Sequence, residues 1–152
     1  MRTRIKYQVG SESLQIILIA SLKAEASYEN LMAKSRNQSL SYWLEYRKEA
    51  TTDFIMKVLQ QLENMGVTAA SYPNISLKIQ NFVSDLKVML LGKNDESIIS
   101  ESLKIDERYL DSLYEVLKLP TITDELYRLY RNQIDVIRNS AKEFVQSNSV
   151  IF

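Results

Sequence analysis

The chain has 152 residues, with 19 basic and 19 acidic side chains, no cysteine and no histidine. A formal net charge of zero removes the broad electrostatic argument for nucleic acid or an anionic membrane as partner. Without cysteine there is no disulfide framework, thiol catalysis or thiolate metal site, and without histidine the commonest general base and transition-metal ligand are missing.

Three glycines and two prolines leave little punctuation, so a chain of this length should form one domain of long elements. No apolar run reaches the roughly 18 residues a spanning helix needs. The most apolar segment, 14–20, contains Gln15 within a helical pattern and does not read as a signal peptide. The sequence reads as cytoplasmic.

Residues 1–10 show no helical period and read as an N-terminal arm, with 11–152 as a single bundle domain. Ser11 or Ser13 can cap a first helix to about Lys34, with Leu14, Ile17, Leu18, Leu22, Tyr28 and Leu31 on one stripe. A short polar connection at 36–39 leads to a second helix that opens at Ser39 or Ser41 and stops at Gly66. Two long helices joined so closely should pack as an antiparallel hairpin.

Residues 67–75, with Pro73, form the longest loop, and a shorter helix follows over about 76–91. Gly92 ends it, Asn94 is placed to cap the next helix, and Asp95 and Glu96 suit the positive end of its dipole. That helix spans about 95–118 and ends before Leu119-Pro120. Thr121 and Asp124 read as a capping pair for a last helix over about 122–146. Three apolar residues, Val150 to Phe152, close the chain and suit docking on the bundle.

Four long helices with one shorter helix between the second and third predict an all-α fold. The shorter helix can return the chain along the bundle, so the second and third long helices run parallel. One long crossover in that place is the ferritin-like arrangement.

A heptad-like seam along each long helix exposes an interior polar layer. On the first helix the seam 14, 18, 21, 25, 28, 32 turns Glu25 inward. On the third long helix 99, 103, 106, 110, 113, 117 turns Asp106 inward, and on the last 126, 130, 133, 137, 140, 144 turns Gln133 inward. The second helix offers Glu49 and Asp53 near its midpoint, although its seam fits two registers. Carboxylate-bridged di-metal bundles put their ligands at this height, as Glu and Glu-x-x-His from facing helices.

Here the histidines are missing: Thr52 follows Glu49 by three residues and Val136 follows Gln133. Glu25, Glu49, Asp53 and Asp106 could make an all-oxygen site, which favours a divalent Mg, Ca or Mn. Without metal, buried carboxylates need partners. Arg47, Lys48, Gln133 and the phenols of Tyr28, Tyr109, Tyr114, Tyr127 and Tyr130 are the candidates.

The segment from Leu86 to Ser102 (LKVMLLGKNDESIISES), the acidic pair Asp106-Glu107, Tyr28 in the first helix, the Gly66 stop and Leu119-Pro120 together resemble a bacterial family. It is the ferritin-like four-helix-bundle domain family of unknown function, and the likeness covers about Leu22 to Val145. The resemblance implies the bundle and no assigned activity. Its members usually carry an acidic residue where Leu103 stands and often a histidine in the last helix, so this chain departs from the common pattern at both.

The first functional expectation is therefore a non-enzymatic structural or interaction protein of a stress-related kind, with a protein partner or a second copy of itself. The alternative is a degenerate carboxylate metal site at Glu25, Glu49, Asp53 and Asp106. A third is a carrier of an apolar ligand beneath the crossover helix.

Overall fold

The computed structural model describes the backbone of residues 2–67, 75–120 and 122–148, and the side chains of 11–67, 75–120 and 122–144. Five helices account for nearly all of it: α1 (Arg2–Lys34), α2 (Gln38–Asn64), α3 (Ile75–Met89), α4 (Asp95–Leu117) and α5 (Asp124–Asn148). The all-helical expectation holds, in the expected order. The loop centre at 68–74, Thr121 and the tail at 149–152 lie outside the described residues.

One boundary differs markedly. Residues 2–10, read as a non-helical arm, continue α1 to 33 residues. They lack an apolar stripe, but only Gly10 opposes helix there, at about 1 kcal/mol, and continuing the ladder pairs backbone groups that would otherwise need water.

Local chemistry sets the other ends. Asn37 caps α2, its side chain accepting from Leu40 N–H at 3.0 Å, and Asn94 caps α4, accepting from Ser97 N–H at 2.9 Å. At the end of α2, Gly66 takes φ +75°, its N–H donates to the Glu63 carbonyl and Val67 N–H donates to the Leu62 carbonyl, both at 2.9 Å. Those two bonds form a Schellman motif, which needs a left-handed residue where Gly66 stands. At α5 the cap is Thr123, whose hydroxyl accepts from Leu126 N–H at 3.2 Å. The helix therefore starts two residues later than the expected Thr121–Asp124 pair would place it.

Side-chain pairs fix the directions. Glu25 meets Thr52 while Glu29 meets Lys48, so α1 and α2 are antiparallel. Ser21 meets Tyr109 while Tyr28 meets Asp106, so α4 also opposes α1. Trp43 reaches Ser140 while Gln61 reaches Glu125, so α5 opposes α2. Contacts between α4 and α5 close a ring in the order α1–α2–α5–α4.

Helix α3 stands outside that ring on α1. Phe82 lies beneath Lys23, and further along Lys87 and Leu91 border Asn30 and Lys34, so α3 runs parallel to α1. It thereby carries the chain from the foot of α2 to the head of α4. There the backbone N–H of Arg36 donates to the Asp95 carboxylate at 2.9 Å, which ties the α1–α2 turn to the start of α4.

A Cβ added at Gly66 or Gly92 (φ +71°) meets no atom within 4 Å, so the cost of substitution there is conformational alone. Gly66→Ala should lower the unfolding free energy by about 1 kcal/mol, as should Gly92→Ala. Urea denaturation measures both, and an unchanged midpoint at constant slope would contradict the left-handed geometry.

Candidate functional site

The buried residues of α5 include all six positions of its predicted seam, Leu126, Tyr130, Gln133, Ile137, Ser140 and Phe144. On α4 the buried set is Ile98, Ser102, Ile105, Asp106, Tyr109, Leu113 and Val116. It shares Asp106 and Leu113 with the predicted seam but turns Ser102 and Tyr109 inward in place of Leu103 and Leu110. On α1 the buried stripe passes through Ala24 and Leu31, leaving Glu25 and Met32 half-buried. On both helices the buried face is therefore wider than the seam and centred slightly toward its N-terminal side. On α2 the ambiguity resolves to a register with Leu44, Arg47, Thr51, Phe54 and Val58 inward.

The four ring helices meet at one polar layer. Asp106 of α4 is 3% exposed and Arg47 of α2 is 1% exposed. Arg47 Nη2 donates to Asp106 Oδ2 at 2.9 Å and to the Ile137 carbonyl of α5 at 2.6 Å. Tyr28 of α1 donates its hydroxyl to Asp106 Oδ1 at 2.5 Å. Trp43, one turn from Arg47, presents its ring 4.9 Å from the guanidinium carbon, stacks on Phe144 at 4.4 Å and donates Nε1–H to the Ser140 carbonyl at 3.1 Å. Each carbonyl accepts through a second lone pair, so the α5 ladder need not break.

Two more layers lie toward the other end of the bundle. Tyr109 and Ser21 share a hydroxyl bond of 2.7 Å, and Gln133 Nε2 donates to the Tyr109 oxygen at 3.4 Å. Below them Tyr130 pairs with Ser13 at 2.9 Å.

Burial pushes the Asp106 carboxyl above the usual carboxylate range, while the Arg47 cation and the Tyr28 hydroxyl pull it back. Burial likewise raises three phenols: Tyr28 strongly, with the Asp106 charge adding to the shift, Tyr109 less so, and Tyr130 to about 12.

The four carboxylates expected to converge do not. Asp106 alone occupies the centre. Glu25 is half-buried and accepts from the Thr52 hydroxyl at 2.5 Å. Glu49 and Asp53 are exposed and line a groove on the outer side of α2 and α5. Among the described residues, no three acidic side chains are grouped as metal ligands would be. An outward α2 register explains this, because Glu49 and Asp53 share one face and Arg47 and Thr51 share another.

Arg47 is the residue sequence reasoning underrated. Arginine ordinarily stays in water, and the one signal for it was that a seam carboxylate needs a cation within reach. The remaining apolar surface includes exposed Tyr42, Tyr46 and Met56 on α2 and Leu77, Val88 and Leu91 in or just after α3. No described helix is long and apolar enough to cross a membrane. No family model, no curated protein and no solved structure matches the chain.

Removing one member of a buried ion pair strands the other. Arg47→Met and Asp106→Leu should each cost about 3–5 kcal/mol, whereas the double variant should recover most of that loss. Urea denaturation of the four proteins completes the cycle, and additive losses would refute the coupling.

The raised phenols set the alkaline limit. A phenol whose folded pKa exceeds its ordinary value near 10 gives stability that is complete below pH 10 and is lost as pH rises toward the folded value. Three such groups make stability fall by up to about 4 kcal/mol per pH unit above 10. Absorbance at 295 nm should show three phenols ionising together with loss of helical circular dichroism. Their ionisation near pH 10 with the helices intact would contradict the burial.

Proposed function

We propose that the chain is a ferritin-like bundle whose central layer is closed by its own ion pair, and that it acts as a non-catalytic structural or interaction protein. The antiparallel ring α1–α2–α5–α4, with α3 as a helical crossover, supports the bundle reading. The role of Arg47 supports the functional one. Its guanidinium stands between Asp106 and the Ile137 carbonyl and supplies the positive charge of the central layer.

A divalent ion bound by oxygen ligands needs several anionic groups pointing at one place. This layer has a single carboxylate, and Arg47 already opposes its charge. Its acid and base groups, Tyr28 and Asp106, are hydrogen-bonded to each other and buried away from solvent, which suits a structural role. Activity then resides on the outside, where the exposed aromatic and apolar side chains of α2 suit a protein partner or a second copy of the chain.

Metal analysis decides between this reading and a degenerate carboxylate site. After incubation with excess Mn(II) or Fe(II) and gel filtration, the purified chain should retain no stoichiometric metal. Retention of one or two ions per chain, lost in Glu25→Gln or Asp106→Asn while circular dichroism stays unchanged, would overturn it.

A further inference from the structure

A groove of about 290 Å³ runs along the outside of the ring between α1 and α4, bordered on one side by Phe82 of α3. Ile16, Ile19, Ala24 and Ile105 give it an apolar wall. Ile16, 46% exposed, leaves nearly half of an apolar residue open to solvent on this wall.

The polar lining is unusual in what remains free. The Ser27 hydroxyl donates to the Lys23 carbonyl at 2.7 Å, and the Ser112 hydroxyl donates to the Arg108 carbonyl at 3.2 Å. The Tyr109 hydroxyl is held by Ser21 and Gln133. All three hydroxyls are thus engaged within the fold.

That leaves Lys23 and Arg108. The Lys23 ammonium sits 5.5 Å from the centre of the Phe82 ring. Among the described residues neither cation forms an ion pair, and no Asp or Glu lines the groove. In a chain with equal numbers of acids and bases, an apolar trough whose charges, among the described residues, are two cations without an ion-pair partner is not average surface.

We propose that this groove binds a small amphipathic anion, a medium-chain carboxylate, with its tail on the apolar wall and its head group on Lys23 and Arg108. Small-ligand sites combine a largely apolar concavity with a few polar groups that set orientation. Here tail burial supplies affinity and the two cations select an anion over a neutral amphiphile. The site is independent of the Arg47–Asp106 layer and of the role proposed above.

Calorimetric titration of the full chain with decanoate below its micellar concentration, and with 1-decanol as the neutral comparison, tests this. Decanoate should bind one to one. Lys23→Gln with Arg108→Gln should weaken it about tenfold, and Ala20→Trp, which fills the trough, should abolish it. Lys23 is half-exposed and Arg108 exposed, so the charge variant should fold normally even if the tryptophan variant does not. Absent saturable binding, equal binding of 1-decanol, or an affinity unmoved by the charge variant would each overturn the proposal.

Discussion

The arrangement of the helices depends on one buried ion pair. Apolar contacts between helices are non-directional, so two amphipathic helices can slide by a turn or rotate slightly and lose little. The Arg47–Asp106 pair does not allow that freedom. Moving two charges out of water costs several kcal/mol per ion, and only close geometry with further hydrogen bonds offsets it. Tyr28 and the Ile137 carbonyl supply two such bonds from the other two helices of the ring, while the buried Nε and Nη1 of Arg47 have no hydrogen-bond partner among the described residues. A shift of α2 or α4 therefore strands a charge, and a shift of α1 or α5 removes a hydrogen bond that the pair relies on. Such a layer contributes uniqueness more than net stability.

The layers on either side extend the same logic with cheaper groups. Trp43 binds α2 to α5 above the pair, and the hydroxyl bonds of Tyr109 and Tyr130 bind α1 to α4 and α5 below it. The bundle thus carries polar cross-links at several heights, each surrounded by aliphatic packing. Exposed ion pairs such as Lys118–Glu115 and Arg131–Asp135 add little beside them.

Legibility from sequence followed how sparse the apolar pattern is. On α5 the apolar residues fall on one narrow stripe between charged ones, so every seam position could be read. On α2 apolar side chains populate two adjacent registers, and the choice between them rests on whether Arg47 or Glu49 faces inward. That choice is tertiary, since it depends on Asp106 arriving from a helix more than fifty residues away. The caps at Asn94 and Gly66 were readable because capping is a local interaction. The start of α1 was not, because residues 2–10 extend a helix without an apolar stripe. Asp106 announced itself as a seam carboxylate, but its partner could be named only among several candidates.

Helix α3 carries a different consequence. Leu86 is the one residue within it that is fully buried, joined by Leu90 just past its end. The four ring helices, by contrast, lock one another through the charged layer. Separation of α3 from α1 would expose Leu86, Leu90 and the half-buried Ile75 and Phe82, but break none of the described cross-links of the ring. The molecule therefore has two tiers of cooperativity. Amide protons of α3 should exchange with solvent through a shallow local opening, while those around Tyr28, Arg47, Asp106 and Ile137 wait for the whole chain to unfold.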